Sequence, residues 1–348
     1  MTSLQHKLLT RLPKVDLHLH LDGSVKPETV LQLAQEQGIP LPDADMETIG
    51  RLMQVDDQCD SLRDYLSKFD FVLPFLQTTE ALERTAYEVV EQASLHRCHY
   101  IEVRFAPQLH RSGGLTVDEV IRAVCSGLKR GEQTFGVMAR AILICLRSHS
   151  YLMNAAVVEA AARFMDRGVV AVDLAGDEAS YPAVQFRSLF TIAKRQGIPI
   201  TIHAGEAAGA ENIYEAVTGL GAKRIGHGVR LLEDVRTLEL VRELRIPLEM
   251  CPVSNIQTKA VPCWDAYPIR KFMELGIPVT VNTDNTTVSG TTITKEYLLL
   301  ADKFRLSTTE IAQIILNGVE AAFLDASEKR DLRNKVLRDF EQEGLLFS

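Results

Sequence analysis

The sequence predicts a parallel (β/α)8 barrel, and three observations carry that reading. Short β-branched runs recur eight times along 348 residues, separated by longer amphipathic stretches. Several of those stretches stop at a glycine before the next run: Arg167-Gly168, Gln196-Gly197 and Leu275-Gly276. No G-x-G-x-x-G follows the first run, which argues against the alternative, a doubly wound open sheet.

The candidate strands are residues 15–20, 100–105, 138–145, 169–174, 198–203, 224–226, 247–251 and 279–283. The first contains His18-Leu19-His20, and in an extended strand these imidazoles share one face while Val15, Leu17 and Leu19 share the other. Two imidazoles on one face suit a metal such as zinc. The helical stretches are 116–131, 151–167, 181–196, 232–244 and 266–275. About eighty residues separate the first two strands, too many for one helix. Within them Leu62, Tyr65, Leu66 and Phe69 fall at helical spacing. They predict an inserted helix that either covers the barrel mouth or packs on its outer wall. Residues 308–324 and 328–343 predict C-terminal closing helices. No linker, repeat or low-complexity segment divides the chain, so residues 1–348 are expected to form one domain.

Composition narrows the function class. With 46% hydrophobic and 24% charged residues, the chain has ample side chains for a core. Its net charge of −8, with no basic stripe, argues against a nucleic-acid backbone or an anionic membrane as partner. The start, Met1-Thr2-Ser3-Leu4-Gln5-His6-Lys7, lacks a charged region followed by an apolar signal core, and no run reaches transmembrane length. Six scattered cysteines (Cys59, Cys98, Cys125, Cys145, Cys251, Cys263) form no C-x-x-C pair and suit reduced thiols. A cytoplasmic enzyme is the expectation.

The remaining polar signals collect at the C-terminal ends of the strands, which surround one mouth in such a barrel. The fifth strand ends in His203-Ala204-Gly205-Glu206, the sixth in His227-Gly228 and the eighth in Asn282-Thr283-Asp284-Asn285. His18, His20, His203 and Asp284 would give three imidazoles and one carboxylate, a set for catalytic zinc with one position left for water. Bound zinc lowers the pKa of its water from 15.7 to roughly 7. Glu206 and His227 then remain for proton transfer. Hydrolytic attack on an sp² carbon is the chemistry this set implies.

Five segments in order resemble the adenosine deaminases: His18-Leu19-His20-Leu21-Asp22-Gly23-Ser24, Asp173-Leu174-Ala175-Gly176-Asp177-Glu178, His203-Ala204-Gly205-Glu206, Arg224-Ile225-Gly226-His227-Gly228 and Asn282-Thr283-Asp284. The resemblance spans about residues 13–290, with further similar segments at 100–107 and 249–255. It implies a zinc-containing barrel that replaces the 6-amino group of adenosine, or 2′-deoxyadenosine, with oxygen. His18, His20, His203 and Asp284 match the zinc ligands. Glu206 matches the residue that protonates purine N1, and His227 the one that orients and deprotonates the attacking water. Gly176 fits the backbone that meets purine N3. His20 and Asp22 match substrate-binding positions, Asp22 as an acceptor for the sugar. The helix carrying Leu62, Tyr65, Leu66 and Phe69 resembles the family's apolar lid.

One position departs from the pattern. The family commonly shows two aspartates after Asn-Thr, whereas Asn285 follows Asp284 here. Purine N7 only accepts hydrogen bonds, and an amide NH₂ donates at any pH, so Asn285 is expected to preserve its recognition. The position leaves open a deaminase of adenine, a modified adenine or an aminofutalosine-like nucleoside. A purine-binding protein without catalysis is the other class, and retention of Glu206 and His227 argues against it. The cytosine-type zinc deaminases need P-C-x-x-C, which this sequence lacks.

Overall fold

Eight parallel strands alternate with helices in the computed structural model, which describes residues 3–42, 45–56 and 59–345. Met1 and Thr2 of the N-terminal stretch read above lie outside that set. The strands are β1 (Lys14–His20), β2 (Cys98–Phe105), β3 (Met138–Leu146), β4 (Val169–Ala175), β5 (Thr201–Ala204), β6 (Arg224–His227), β7 (Leu248–Met250) and β8 (Val279–Val281). They pair in sequence order as two four-stranded sheets, β1 to β4 and β5 to β8. Parallel bridges Val172↔Ile200 and Leu19↔Asp284 join the two halves and close the ring. The barrel read from the sequence is therefore present, with every strand within a few residues of its expected place.

Two departures have physical causes. β5, β7 and β8 follow the dipeptides Ile198-Pro199, Ile246-Pro247 and Ile277-Pro278. Proline has no N–H for a ladder, so the first two strands start later than the hydrophobic runs suggest. Each proline carbonyl still accepts a neighbour's amide, from Val172, Ile225 and Leu248 respectively. The second departure lies in β1. Asp16 pairs with Ile101 and Leu19 with Val103, so three residues advance against two. This bulge breaks simple alternation: Asp16 turns outward to Thr283, while His18 and His20 both face the interior.

The insertion after β1 contains the helices Pro27–Gln37, Met46–Met53, Leu62–Val72 and Thr79–Leu95. Ser61 caps Leu62–Val72, its hydroxyl accepting the Asp64 N–H at 3.2 Å. After β8 come Ile293–Lys303 and the expected closing helices, Thr308–Ala321 and Ala326–Gln342. Ser307 and Glu310 form a reciprocal capping box that starts the first of the two. Among the described residues no helix is long and apolar enough to cross a membrane.

The barrel interior is unusually polar below the mouth. Arg224 from β6 ion-pairs with Glu102 of β2 and with Glu249 of β7, and its guanidinium lies 3.8 Å from the Phe323 ring centroid. Glu102 also accepts the Tyr100 hydroxyl at 2.8 Å and the Phe323 N–H at 2.7 Å, which ties the C-terminal helices to the barrel. None of these charges reaches solvent appreciably. Replacing Arg224 leaves the buried Glu102 without a cation and takes one of two guanidiniums from Glu249, a change that costs about 3–5 kcal/mol. Arg224→Met is therefore expected to lower the unfolding free energy by that amount in urea titration; a loss below about 1 kcal/mol would show that the network is not required.

Candidate active site

The backbone that closes the barrel also assembles the site. His20 donates its N–H to the Asp284 carbonyl at 2.7 Å, and Asp284 donates its own to the His18 carbonyl at 2.8 Å. Asp284 and His227 both take positive φ, 60° and 62°. Non-glycine residues seldom do so, and such strain concentrates at functional positions. Here it turns both side chains into the mouth.

Four ligand atoms converge there. Those of His18, His20, His203 and Asp284 all lie within 4.8 Å of one another. His20 Nε2 is 3.3 Å from His203 Nε2 and 3.3 Å from Asp284 Oδ1, which is 3.4 Å from His18 Nε2. Zinc bonds of about 2.0–2.2 Å put the edges of a tetrahedron at roughly 3.3–3.6 Å. The spacing thus fits one ion. His18 Nε2 is completely buried and finds no hydrogen-bond partner among the described residues. A lone pair is left there for a cation.

The opposite ring nitrogens explain this orientation. His18 Nδ1 meets Glu249 Oε2 at 2.9 Å, and His203 Nδ1 meets Asp173 Oδ2 at 3.0 Å. Each carboxylate accepts the Nδ1 proton and leaves Nε2 free for metal. Arg104 binds both carboxylates at 2.9 Å and the Leu17 carbonyl at 2.7 Å. Burial alone would raise Glu249; the Arg104 and Arg224 guanidiniums and His18 overcome it and hold the carboxyl well below its usual range. Burial depresses His20 and His203, so both rings are neutral, as ligands must be. His18 is raised, because Asp284 and Glu249 outweigh its burial and Arg104. Its surroundings favour a positive charge, which a metal would supply.

Beside this cage lie Glu206 and His227, with His227 Nε2 3.5 Å from Glu206 Oε2. Burial, then the Asp284 and Glu178 carboxylates, push Glu206 well above the normal carboxyl range. Burial holds His227 well below the imidazole range. Asn255 contacts His227 Nδ1 at 2.9 Å and accepts the Tyr267 hydroxyl at 3.0 Å, leaving Nε2 toward the site.

A cavity of about 330 Å³ opens above these groups. His20, Asp22, Gly176, His203, Glu206, His227, Asp284 and Asn285 all line it. So do Leu62, Tyr65, Leu66 and Phe69, which decides that their helix covers the mouth. Tyr65 anchors that lid through its hydroxyl, 2.6 Å from Ser289 Oγ. Asn285 fits because Gly23 has no side chain: a Cβ there would lie 1.8 Å from Asn285 Oδ1. Asp22 is buried, which raises its carboxyl to about 6, and its Oδ1 has no partner among the described residues. Of the candidates named from the sequence, all but the fully buried His18 border this space, and His18 reaches it through the ligand cluster with His20, His203 and Asp284.

Sequence reasoning missed Arg104, Glu249, Asn255 and Tyr267 as parts of the site, and quoted Asp173 without a function. A signal existed for the first two. Charges inside otherwise apolar parallel strands are out of place unless paired.

Comparison with known proteins places the chain in a family. Residues 13–339 match the family model described as adenosine deaminase. An adenosine deaminase of Enterococcus faecalis is 44% identical over 333 residues, covering 96% of this chain and 98% of that protein. An adenine deaminase from Arthrobacter aurescens superposes with a TM-score of 0.88 at 27% identity, covering 95% of this chain and 99% of that one. The N6-methyl-AMP deaminase of Arabidopsis thaliana gives 0.84 at 26%, with 95% and 98% covered. A match over nearly the whole chain, at this identity, establishes that the chain belongs to the adenosine deaminase family.

Proposed function

We propose that this chain hydrolyses adenosine and 2′-deoxyadenosine to inosine and 2′-deoxyinosine with release of ammonia, holding zinc on His18, His20, His203 and Asp284. The reading is carried by one observation: four converging ligand atoms share a purine-sized cavity with a buried carboxyl and a buried neutral imidazole. Zinc in that cage supplies a nucleophilic water at neutral pH.

The protein's own groups do the rest. Burial and its carboxylate neighbours oppose ionisation of Glu206 and favour its protonated form; a bound cation would offset Asp284 but not burial or Glu178. That proton goes to purine N1, so C6 accepts the attacking oxygen without forcing negative charge onto the ring. One proton of the water passes through His227 Nε2 to the 6-amino group, the C6–N bond breaks and ammonia leaves; the other leaves the oxygen as the C6 carbonyl forms and restores Glu206. With Asn255 Nδ2 donating to Nδ1, neutral His227 carries its proton on Nε2 and orients the water as a donor. Accepting a proton requires the Asn255 amide to present Oδ1 instead, and the Tyr267 hydroxyl serves either arrangement.

Substrate placement follows from the lining. The Gly176 backbone meets N3 and the Asn285 amide donates to N7. His20 and Asp22 meet the sugar, and the lid excludes water. Among the described lining residues none is lysine or arginine, whereas Asp22, Asp70 and Asp177 are carboxylates. A 5′-phosphate would meet like charge, so the free nucleoside is the substrate.

Two outcomes test this. Glu206→Gln is expected to lower kcat on adenosine by on the order of 10²–10⁴-fold with zinc content unchanged; undiminished turnover removes Glu206 from the proton-donor role. Ultraviolet assays of adenosine, AMP and free adenine should rank adenosine first, with AMP weaker in kcat/KM by at least about 10²-fold, the equivalent of a few kcal/mol of charge repulsion. AMP turned over as well as adenosine, or adenine better, would overturn the substrate assignment.

A further inference from the structure

Glu178 follows β4 in the loop beyond Gly176, and the mechanism above gives it no chemical step. Its side chain is almost fully buried, yet among the described residues it is not paired in a direct salt bridge. Instead its carboxylate accepts four successive backbone N–H groups of the loop after β5. Oε1 takes Gly205 at 2.7 Å, and Oε2 takes Glu206 at 3.0 Å, Ala207 at 2.8 Å and Ala208 at 3.0 Å. Convergent amides of this kind form a concave anion site. Here a side chain of the same protein fills it permanently.

The loop so gripped is the one that carries Glu206. Immediately before it, the His203 carbonyl accepts Arg147 Nη2 at 2.7 Å. Arg147 is buried and lies close enough to Glu178 to stabilise its charge. The chain is therefore held on both sides of the turn, by its carbonyl at His203 and by its amides from Gly205 to Ala208. Gly205 has a φ of +69°, and a Cβ there would approach Ile213 Cδ1 to 2.4 Å. Turn, clamp and packing leave Glu206 one direction for its side chain, into the cavity.

Resting on the reading of Glu206 as proton donor, we infer that Glu178 is the positioning residue for proton delivery to N1: by occupying the amide nest it fixes the loop that aims Glu206. A glutamine in its place has one acceptor oxygen: whichever way the amide turns, its NH₂ faces at least the Gly205 N–H and the charge that the four amides share is gone, so the clamp is weakened at nearly constant shape. An aspartate keeps both oxygens on a shorter arm.

The test uses the zinc-loaded full chain and compares Glu178→Gln with Glu178→Asp. For Glu178→Gln the expected result is a fall in kcat on the order of 10²-fold, with the KM for adenosine little changed. Zinc content and the affinity for 1-deazaadenosine, which has no N1 to call on Glu206, should stay at the parent values. Glu178→Asp should recover part of the loss in kcat. Unchanged kcat in Glu178→Gln would overturn the inference. So would a parallel fall of kcat, zinc content and 1-deazaadenosine affinity in both variants, which marks a general structural role. If Glu206→Gln is inactive while Glu178→Gln is not, the inference alone fails; an active Glu206→Gln removes the reading beneath it.

Discussion

Arg104 sits in the barrel interior without exposed surface, and its guanidinium joins the two carboxylates that aim the metal-binding histidines. An unpaired charge at such depth is prohibitive, so each member of the set requires the others. Glu249 is the hub. It receives Arg104 and His18 on Oε2, and Arg224 at 2.6 Å and Thr201 at 2.9 Å on Oε1. Through Arg224 the network continues to Glu102 and the C-terminal helices. The charges that stabilise the lower barrel and those that orient His18 are thus one system. That coupling makes the cage preformed: the ring nitrogens face one point before any ion arrives.

Barrel closure supplies the second half of the cage. Asp284 is reached by hydrogen bonds to both His18 and His20 through the backbone, in the same bridge that seals β8 to β1. A slip of one residue along β1 would send both imidazoles outward. The bulge between Asp16 and Leu19 fixes that register, and Asp16 secures it by accepting the Thr283 hydroxyl at 2.6 Å. Fold and site are consequently specified together. The proton-transfer groups stand one step further out, held by Glu178 at one side and by Asn255 with Tyr267 at the other.

Much of this was legible in the sequence. The recurring runs and glycine stops announced the barrel, and polar residues at strand ends announced the mouth. His18 and His20 were readable as two imidazoles sharing one face of a strand, and His203, Glu206, His227 and Asp284 because each stands where an apolar strand gives way to polar residues. The lid was legible as a helix but not as a lid, since spacing does not say what an amphipathic face covers. The ion network was not read, because a lone arginine or glutamate in a strand acquires meaning only when its partner is known. Arg104 and Glu249 are 145 residues apart, as are no local signals. The bulge in β1 and the positive φ of His227 and Asp284 were also hidden, being consequences of tertiary register rather than of local preference.

The central claim is that buried carboxylates hold His18 and His203 ready for metal. Competition against a chelator of known affinity measures it directly, comparing the parent with Asp173→Asn. The amide preserves shape but removes the charge that orients His203 and answers Arg104. Preorganisation predicts zinc binding weaker by about 10–100-fold in a folded protein. Zinc affinity equal to the parent's, with the fold intact, would contradict the account.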